Sequence, residues 1–155
     1  MQKVLSSWRG YLELTKPGVQ ALLFVSCISG MLIGSEFKPP LNTFFFGLLG
    51  ISFLAASSAV INHIFDKQID AKMERTSSRP LVVGDITNNQ AIVFSVFLYL
   101  SGSWMILTFA NALTWILTTL TFLFYGFIYT RYLKFMTSQN IVIGGLSGAM
   151  PPLLG

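Results

Sequence analysis

Four stretches without a charged side chain constrain this chain more than anything else in it. Gly18 to Gly34, Leu41 to Phe65, Ala91 to Ala110 and Leu113 to Tyr129 contain no Asp, Glu, Lys or Arg. At about 1.5 Å per helical residue, each approaches or exceeds the roughly 30 Å of a bilayer core. A water-soluble domain cannot carry such runs without charge elsewhere to cover it. Here charged residues are 10% of the chain and hydrophobic ones 53%, against roughly 25% charged in ordinary soluble domains. The expected fold class is therefore all-α, a polytopic transmembrane helical bundle. It has about four complete spans and the start of a fifth near Gln139.

The remaining features fit that frame. The net charge of +4 is scattered through short connecting loops, which is not the footprint of a nucleic-acid binder. Cys27 lies in an apolar run and has no second cysteine to pair with, so it reads as a small core residue. Residues 1–16 mix Trp8 and Tyr11 with charges and read as an amphipathic helix at the interface. Glu13, Lys16 and Pro17 interrupt the pattern of a signal peptide, and the stretch does not read as a transit peptide. Pro17 suits the first turn of the first span. Asn42 and Thr43 are candidate caps of the second span. Residues 71–89 read as a loop, and Asn111 as a tight turn. The uncharged run from Ile141 to Gly155 is short for a span, and Pro151-Pro152 would bend or break a helix there. Residues 1–155 thus read as a single transmembrane domain, truncated relative to something longer.

The cationic residues set an orientation. Lys3, Arg9 and Lys16 precede the first span. Lys67, Lys72, Arg75 and Arg79 follow the second, and Arg131 and Lys134 follow the fourth. Only Lys38 falls on the other side. The positive-inside rule then places the N-terminus and the loop after the second span in the cytoplasm, as expected of a multi-pass protein of a cell's inner membrane.

The chemistry concentrates between Ala59 and Gly84. Asn62, Asp66 and Asp70 recur every fourth residue, which on a helix places them on one narrow arc about 6 Å apart along the axis. Glu74 extends the ladder if the helix lasts that long. A ladder of oxygen ligands at the end of an apolar helix, followed by Arg75 and Arg79, reads as a seat for a divalent cation and a diphosphate. Mg²⁺ is the expected ion, because it prefers oxygen and commonly uses one or two carboxylates with phosphate oxygens and water. Asp66 and Asp70 supply the carboxylates and Asn62 an amide oxygen. Arg75 and Arg79 carry forked donors suited to phosphate.

Each residue also has a plainer reading. Asp66 and Asp70 could pair with Lys67, Lys72 or Arg75 as an interfacial charge cluster. Arg75 and Arg79 could be positive-inside anchors, as could Arg131 and Lys134. Lys16 could be a snorkelling lysine. His63, about 100° around the helix from Asn62, could be structural.

Asn62-x-x-x-Asp66-x-x-x-Asp70, with Arg75-Thr76 and Arg79-Pro80-Leu81, closely resembles the first aspartate-rich motif of the UbiA family of intramembrane prenyltransferases. Tyr11 to Pro17, Asn62-His63, Tyr129-Thr130 and Thr137 to Gly145 are similar to the branch that farnesylates protoheme IX. The resemblance runs from about residue 11 to 155. It implies a bundle in which Asn62, Asp66 and Asp70 are catalytic and hold Mg²⁺, and in which Arg75, Arg79, Lys16 and Lys134 bind diphosphate. It implies that His63 lies near haem. The reaction it implies joins the farnesyl group of farnesyl diphosphate to a vinyl group of protoheme IX, with addition of water, to give haem O. The partners are those two substrates and the lipid bilayer, with no nucleic acid.

Two departures from the family stand out. Position 18 is Gly where an Arg is expected, which removes one cationic contact. No acidic residue follows Asp85, so the second aspartate-rich motif is missing from residues 1–155. The expectation is that these residues by themselves do not complete the site and require a C-terminal half or a second copy. Two other readings stay open. One is a catalytically inactive membrane fragment. The other is a prenyltransferase of the same type acting on an aromatic quinone precursor.

The orientation is open to a direct test. A single cysteine at Ser77, in a Cys27→Ser background, is expected to react with an impermeant thiol reagent from the cytoplasmic side only. Labelling from outside intact cells would reverse the topology.

Overall fold

A few residues write the helix ends of this chain. In the computed structural model, which describes residues 2–133, 136, 145 and 147–154 (residues 2–7 by backbone only), Pro17 occupies the first turn of its helix. Its missing N–H is one that no helical carbonyl would have received. Thr87 and Gln90 form a capping box. The Thr87 hydroxyl accepts from the Gln90 N–H at 3.3 Å, and the Gln90 side chain accepts from the Thr87 N–H at 2.9 Å. Asn111, expected as a turn, caps the next helix by accepting the Thr114 N–H at 2.8 Å. Together these caps satisfy backbone donors that would otherwise face lipid or headgroup.

The elements that result are α1 (Gln2–Leu14), α2 (Pro17–Gly34), α3 (Thr43–Asp70), α4 (Pro80–Val83), α5 (Asn88–Phe109), α6 (Ala112–Leu133) and α7 (Pro151–Leu154). Among the described residues there is no strand. Helices α2, α3, α5 and α6 are long and apolar enough to cross a membrane, which makes this a multi-pass all-α membrane protein. Neither Asn42 nor Thr43 caps α3. Asn42 is already helical, with φ −63° and ψ −46°, and the Thr43 hydroxyl donates to the Phe109 carbonyl at 2.7 Å instead. The loop expected over 71–89 is partly helical, because Pro80 opens the short α4 and Gly84 ends it at φ 84°.

Helix α3 is the centre of the bundle. In its most apolar window 61% of residues are buried, against 11% for α2, 28% for α5 and 17% for α6. Its closest neighbour is α5, and glycines set the distance between them. A Cβ on Gly102 would sit 2.7 Å from the Gly50 carbonyl oxygen and 2.6 Å from Leu54 Cδ1. A Cβ on Gly50 would sit 3.0 Å from the Gly102 oxygen. Lower on the same seam, Ser57 and Ser95 exchange hydroxyl-to-carbonyl hydrogen bonds at 2.8 and 3.2 Å. Such interhelical bonds in membranes are worth about 0.6 kcal/mol on average, so close packing rather than polarity dominates the seam. Gly126 on α6 is under no such constraint, since an added Cβ would make an ordinary contact of 3.6 Å with Ile61 Cγ2.

Two apolar clusters frame the site. Leu14, Val60, Leu81, Ile86 and Leu98 tie the end of α1 and the α4 region to α3 and α5. Cys27, Met31, Ile51, Leu54, Ile106 and Leu154 join α2 and α7 to the same pair. Cys27 is buried there, in keeping with a packing role. Because Leu14 is fully buried, the chain enters α2 from a fixed point, and that positions Lys16.

The α3–α5 seam predicts its own weak point. Gly102→Val should destabilise the fold by about 1–3 kcal/mol or more, the usual cost of forcing volume into a packed contact. Gly18→Ala, with nothing within 4 Å of the added Cβ, should leave the midpoint of thermal unfolding in detergent unchanged.

Candidate functional site

The ladder forms on the last turns of α3 and stops with the helix. Asn62, Asp66 and Asp70 are 4, 5 and 4% exposed. The Asn62 amide donates to Asp66 Oδ2 at 3.1 Å, the contact expected one helical turn apart on a single face. Glu74 does not extend the ladder. Helix α3 ends at Asp70, and Glu74 lies exposed in the loop beyond.

Two cations reach the ladder from other segments. Lys16 Nζ donates to Asn62 Oδ1, to the Tyr125 hydroxyl at 3.4 Å, and lies 5.8 Å from the centre of the Tyr125 ring. Arg79 Nη1 donates to Asp70 Oδ2 at 2.5 Å. The loop after α3 turns back on itself to make that pair. The Thr76 hydroxyl, buried, donates to the Asp70 carbonyl at 3.0 Å, and Arg79 then stands at the N-cap position of α4 while its side chain turns back to Asp70. Asp70 thus pairs across the loop rather than with Lys72 or Arg75. Arg75 is exposed on the outer side of the loop, and Lys67 donates to Asn88 at 3.3 Å. Arg131 lies over the Phe65 ring at 5.8 Å. Lys134 and residues 137–144 lie outside the described residues.

Sequence reasoning gave no role to three members of the site, although Thr76 and Thr130 fell within stretches it singled out. Besides Thr76, the Asn62 amide donates to Thr130 Oγ1 at 3.1 Å, and Thr130 in turn donates to the Tyr125 carbonyl at 2.7 Å. That five-residue reach belongs to a π-helical segment, Phe124–Leu133, a form that often marks functional sites. A 3.6-residue periodicity hides it.

Lys16 holds its place at a backbone cost. It has φ 54° and ψ 67° immediately before Pro17, a left-handed conformation that costs a non-glycine residue about 1–3 kcal/mol and that a following proline further disfavours.

Two cavities meet at Lys16. One, a wide-open hollow of about 290 Å³, is lined by Glu13, Lys16, Gly18, Val19, His63 and Arg79. His63 is 3% exposed, and neither ring nitrogen has a hydrogen-bond partner. The other, of about 210 Å³, runs along apolar surface from Lys16 past Val19, Leu23, Cys27, Ile51 and Leu154. Gln20 lines this second space, and its buried side-chain Oε1 has no hydrogen-bond partner.

The donor set suits a hard divalent ion. Among the described residues no three His, Cys, Asp or Glu side chains converge as a protein-only metal cage. The ladder offers two buried carboxylates and an amide oxygen, and Mg²⁺ typically takes one or two carboxylates and completes its shell with phosphate and water.

Residues 23–155 match the UbiA prenyltransferase family. The chain belongs to that family. Protoheme IX farnesyltransferase 1 of Pseudomonas fluorescens is 47% identical over 96% of this UbiA chain and 49% of its own length. The protoheme IX farnesyltransferase of Alcanivorax borkumensis is 50% identical, over 96% of this chain and 50% of its own length. The chain therefore spans about half the length of the curated relatives it matches. A solved digeranylgeranylglyceryl phosphate synthase superposes with a TM-score of 0.75 at 29% identity, over 99% of this chain and 57% of that one.

The pairing of Arg79 with Asp70 in this UbiA chain predicts an asymmetry. Arg79→Met strands a buried carboxylate, an error worth about 3–5 kcal/mol. The guanidinium is 24% exposed, so the expected loss lies at the low end. Arg75→Met should fall within about 0.5 kcal/mol. Unfolding of the two variants side by side in mixed detergent measures the difference.

Proposed function

We propose that the polypeptide carrying this sequence transfers a farnesyl group from farnesyl diphosphate to a vinyl group of protoheme IX, giving haem O. The observation that carries the reading is the meeting of Lys16 and Arg79 on the buried Asn62–Asp66–Asp70 ladder, beside an apolar cavity. This is a place to bind an anion on a metal and to lay a hydrocarbon tail next to it. The names of the relatives support protoheme as the acceptor.

The chemistry asks for charge at one point. Loss of diphosphate from an allylic carbon leaves a delocalised cation and gathers negative charge on the leaving oxygen, so cationic groups aimed there lower the barrier. Asn62, Asp66 and Asp70 would hold Mg²⁺, which supplies that charge stabilisation when bound. Arg79 and Lys16 bind the diphosphate oxygens, and Lys134 is assigned the same role by the resemblance alone, whereas Arg75 stands exposed and off the ladder. The tail lies in the cavity of about 210 Å³, where Leu23, Ile51 and Leu154 exclude water from the cation. His63 faces the neighbouring cavity, and we assign the acceptor to that side. The vinyl carbon attacks the allylic carbon as the carbon–oxygen bond breaks, and water then adds to the new cation beside the porphyrin and passes one proton to the released diphosphate. The cationic loops favour placing the site at the cytoplasmic side of the inner membrane.

A second reading keeps the prenyl donor and changes the acceptor. The superposition on a digeranylgeranylglyceryl phosphate synthase favours it, since the same fold serves a protein named for a different product. Incubating the full-length polypeptide with farnesyl diphosphate and either protoheme IX or a quinone precursor separates the two.

In that full-length polypeptide, Asp66→Asn and Asp70→Asn should each lower haem O formation by about 100-fold or more, the scale lost with one group that stabilises transition-state charge. Asp85→Asn, exposed and off the ladder, should leave turnover near normal. Extraction and chromatography of the haems provide the readout. Near-normal haem O from Asp66→Asn at limiting Mg²⁺ refutes the assignment.

A further inference from the structure

We propose that the Lys16 ammonium is an internal competitor of the divalent cation, seated on Asn62 until metal displaces it onto the diphosphate. The inference rests on the metal and diphosphate reading above and adds to it an order of binding.

Lys16 Nζ donates to Asn62 Oδ1, the one amide oxygen that the ladder offers to a metal. Mg²⁺ binds oxygen at about 2.0–2.1 Å and demands near-ideal octahedral geometry. An ammonium cannot share that lone-pair side of the amide with it, and the two positive charges repel. One must leave before the other arrives.

The surroundings give the lysine somewhere to go and hold it until then. Its second contacts, the Tyr125 hydroxyl at 3.4 Å and the Tyr125 ring at 5.8 Å, come from α6. They steady the ammonium beside Asn62 without enclosing it. The side chain lines both cavities, with Val19 as the other shared residue. A rotation about its flexible stem carries the charge from Asn62 into the space it already lines with Arg79, where a diphosphate would sit.

The backbone supports the same conclusion. Lys16 adopts φ 54° before Pro17, between a fully buried Leu14 and the first turn of α2. Strain of this kind persists where the surroundings over-determine it, and it clusters at clamps and switches. With its Cα fixed in this way, only the side chain can move.

The consequence is coupling between ligands. Metal without diphosphate has to evict a cation toward a space whose lining carboxylate, Glu13, lies beside the competing cation Arg79. Metal with diphosphate gives the ammonium a better partner. Each ligand then tightens the other by the same factor.

The test uses Mn²⁺, followed by electron paramagnetic resonance, on the full-length polypeptide in detergent. Lys16→Met should bind Mn²⁺ alone on the order of tenfold more tightly than the wild type, because a cation in contact with the site has been removed. Added inorganic diphosphate should tighten Mn²⁺ binding strongly in the wild type and much less in the variant. A second measurement needs no variant. The acetylation rate of Lys16, read by mass spectrometry, should rise several-fold on adding Mg²⁺ alone, with the exposed Lys38 as an unchanged reference. Equal Mn²⁺ affinity in wild type and Lys16→Met, or Lys16 acetylation indifferent to Mg²⁺, would overturn the proposal and leave the metal site intact. Mn²⁺ binding that Asp70→Asn does not weaken would overturn both.

Discussion

A carboxylate on a membrane helix stays ionised and buried only if a cation is brought to it. Taking a carboxylate out of water costs several kcal/mol even after relaxation. Two of them, with an amide between solvent and lipid, line one face of α3 here. The rest of the structure reads as the means of meeting that cost. The loop after α3 folds back so that Arg79 reaches Asp70, nine residues earlier. The α1–α2 junction accepts a left-handed lysine so that Lys16 reaches Asn62, 46 residues later. Helix α6 gives up regular hydrogen bonding so that Thr130 reaches the Asn62 amide.

The apolar framework makes those reaches possible. Lys16 can be held in a strained conformation because Leu14 just before it is locked into a cluster with Val60, Leu81 and Leu98. Arg79 can be aimed because Pro80 and Leu81, next to it, are buried. Helix α3 can sit at the centre because Gly50 and Gly102 let α5 approach to backbone distance. In a bilayer, where lipid is as apolar as leucine, such approach is the main source of helix association. Precision at the polar site is therefore drawn from packing well away from it.

The site is also arranged asymmetrically about Lys16. On one side lies apolar surface suited to hydrocarbon. On the other lies a cavity with Arg79, Glu13 and the unpartnered ring of His63. A single lysine between a tail-shaped space and a polar one divides the two, and its contact with Asn62 ties that division to the ladder.

The four spans were legible because hydrophobic length is a local property, and a run of uncharged residues long enough to cross a bilayer has few alternatives. The ladder was legible for a related reason. A four-residue repeat on a helix fixes its own face, and Asn62, Asp66 and Asp70 share that face in the structure. Glu74 shows the limit of the rule, since the repeat continued while the helix did not. Which cations complete the site was decided by tertiary structure. Arg75 and Arg79 look alike in sequence, yet one faces outward and the other closes on Asp70, because the turn around Thr76 and the burial of Pro80 set the direction of the chain between them. Lys16, Tyr125 and Thr130 join the ladder through contacts across 46, 109 and 68 positions. The sequence by itself determined the membrane-spanning helices and the oxygen-bearing face, because both follow from periodicity along one helix. Only the packing of α1, α2 and α6 around α3 decided what that face meets, because a residue's distant partners depend on where other helices are held.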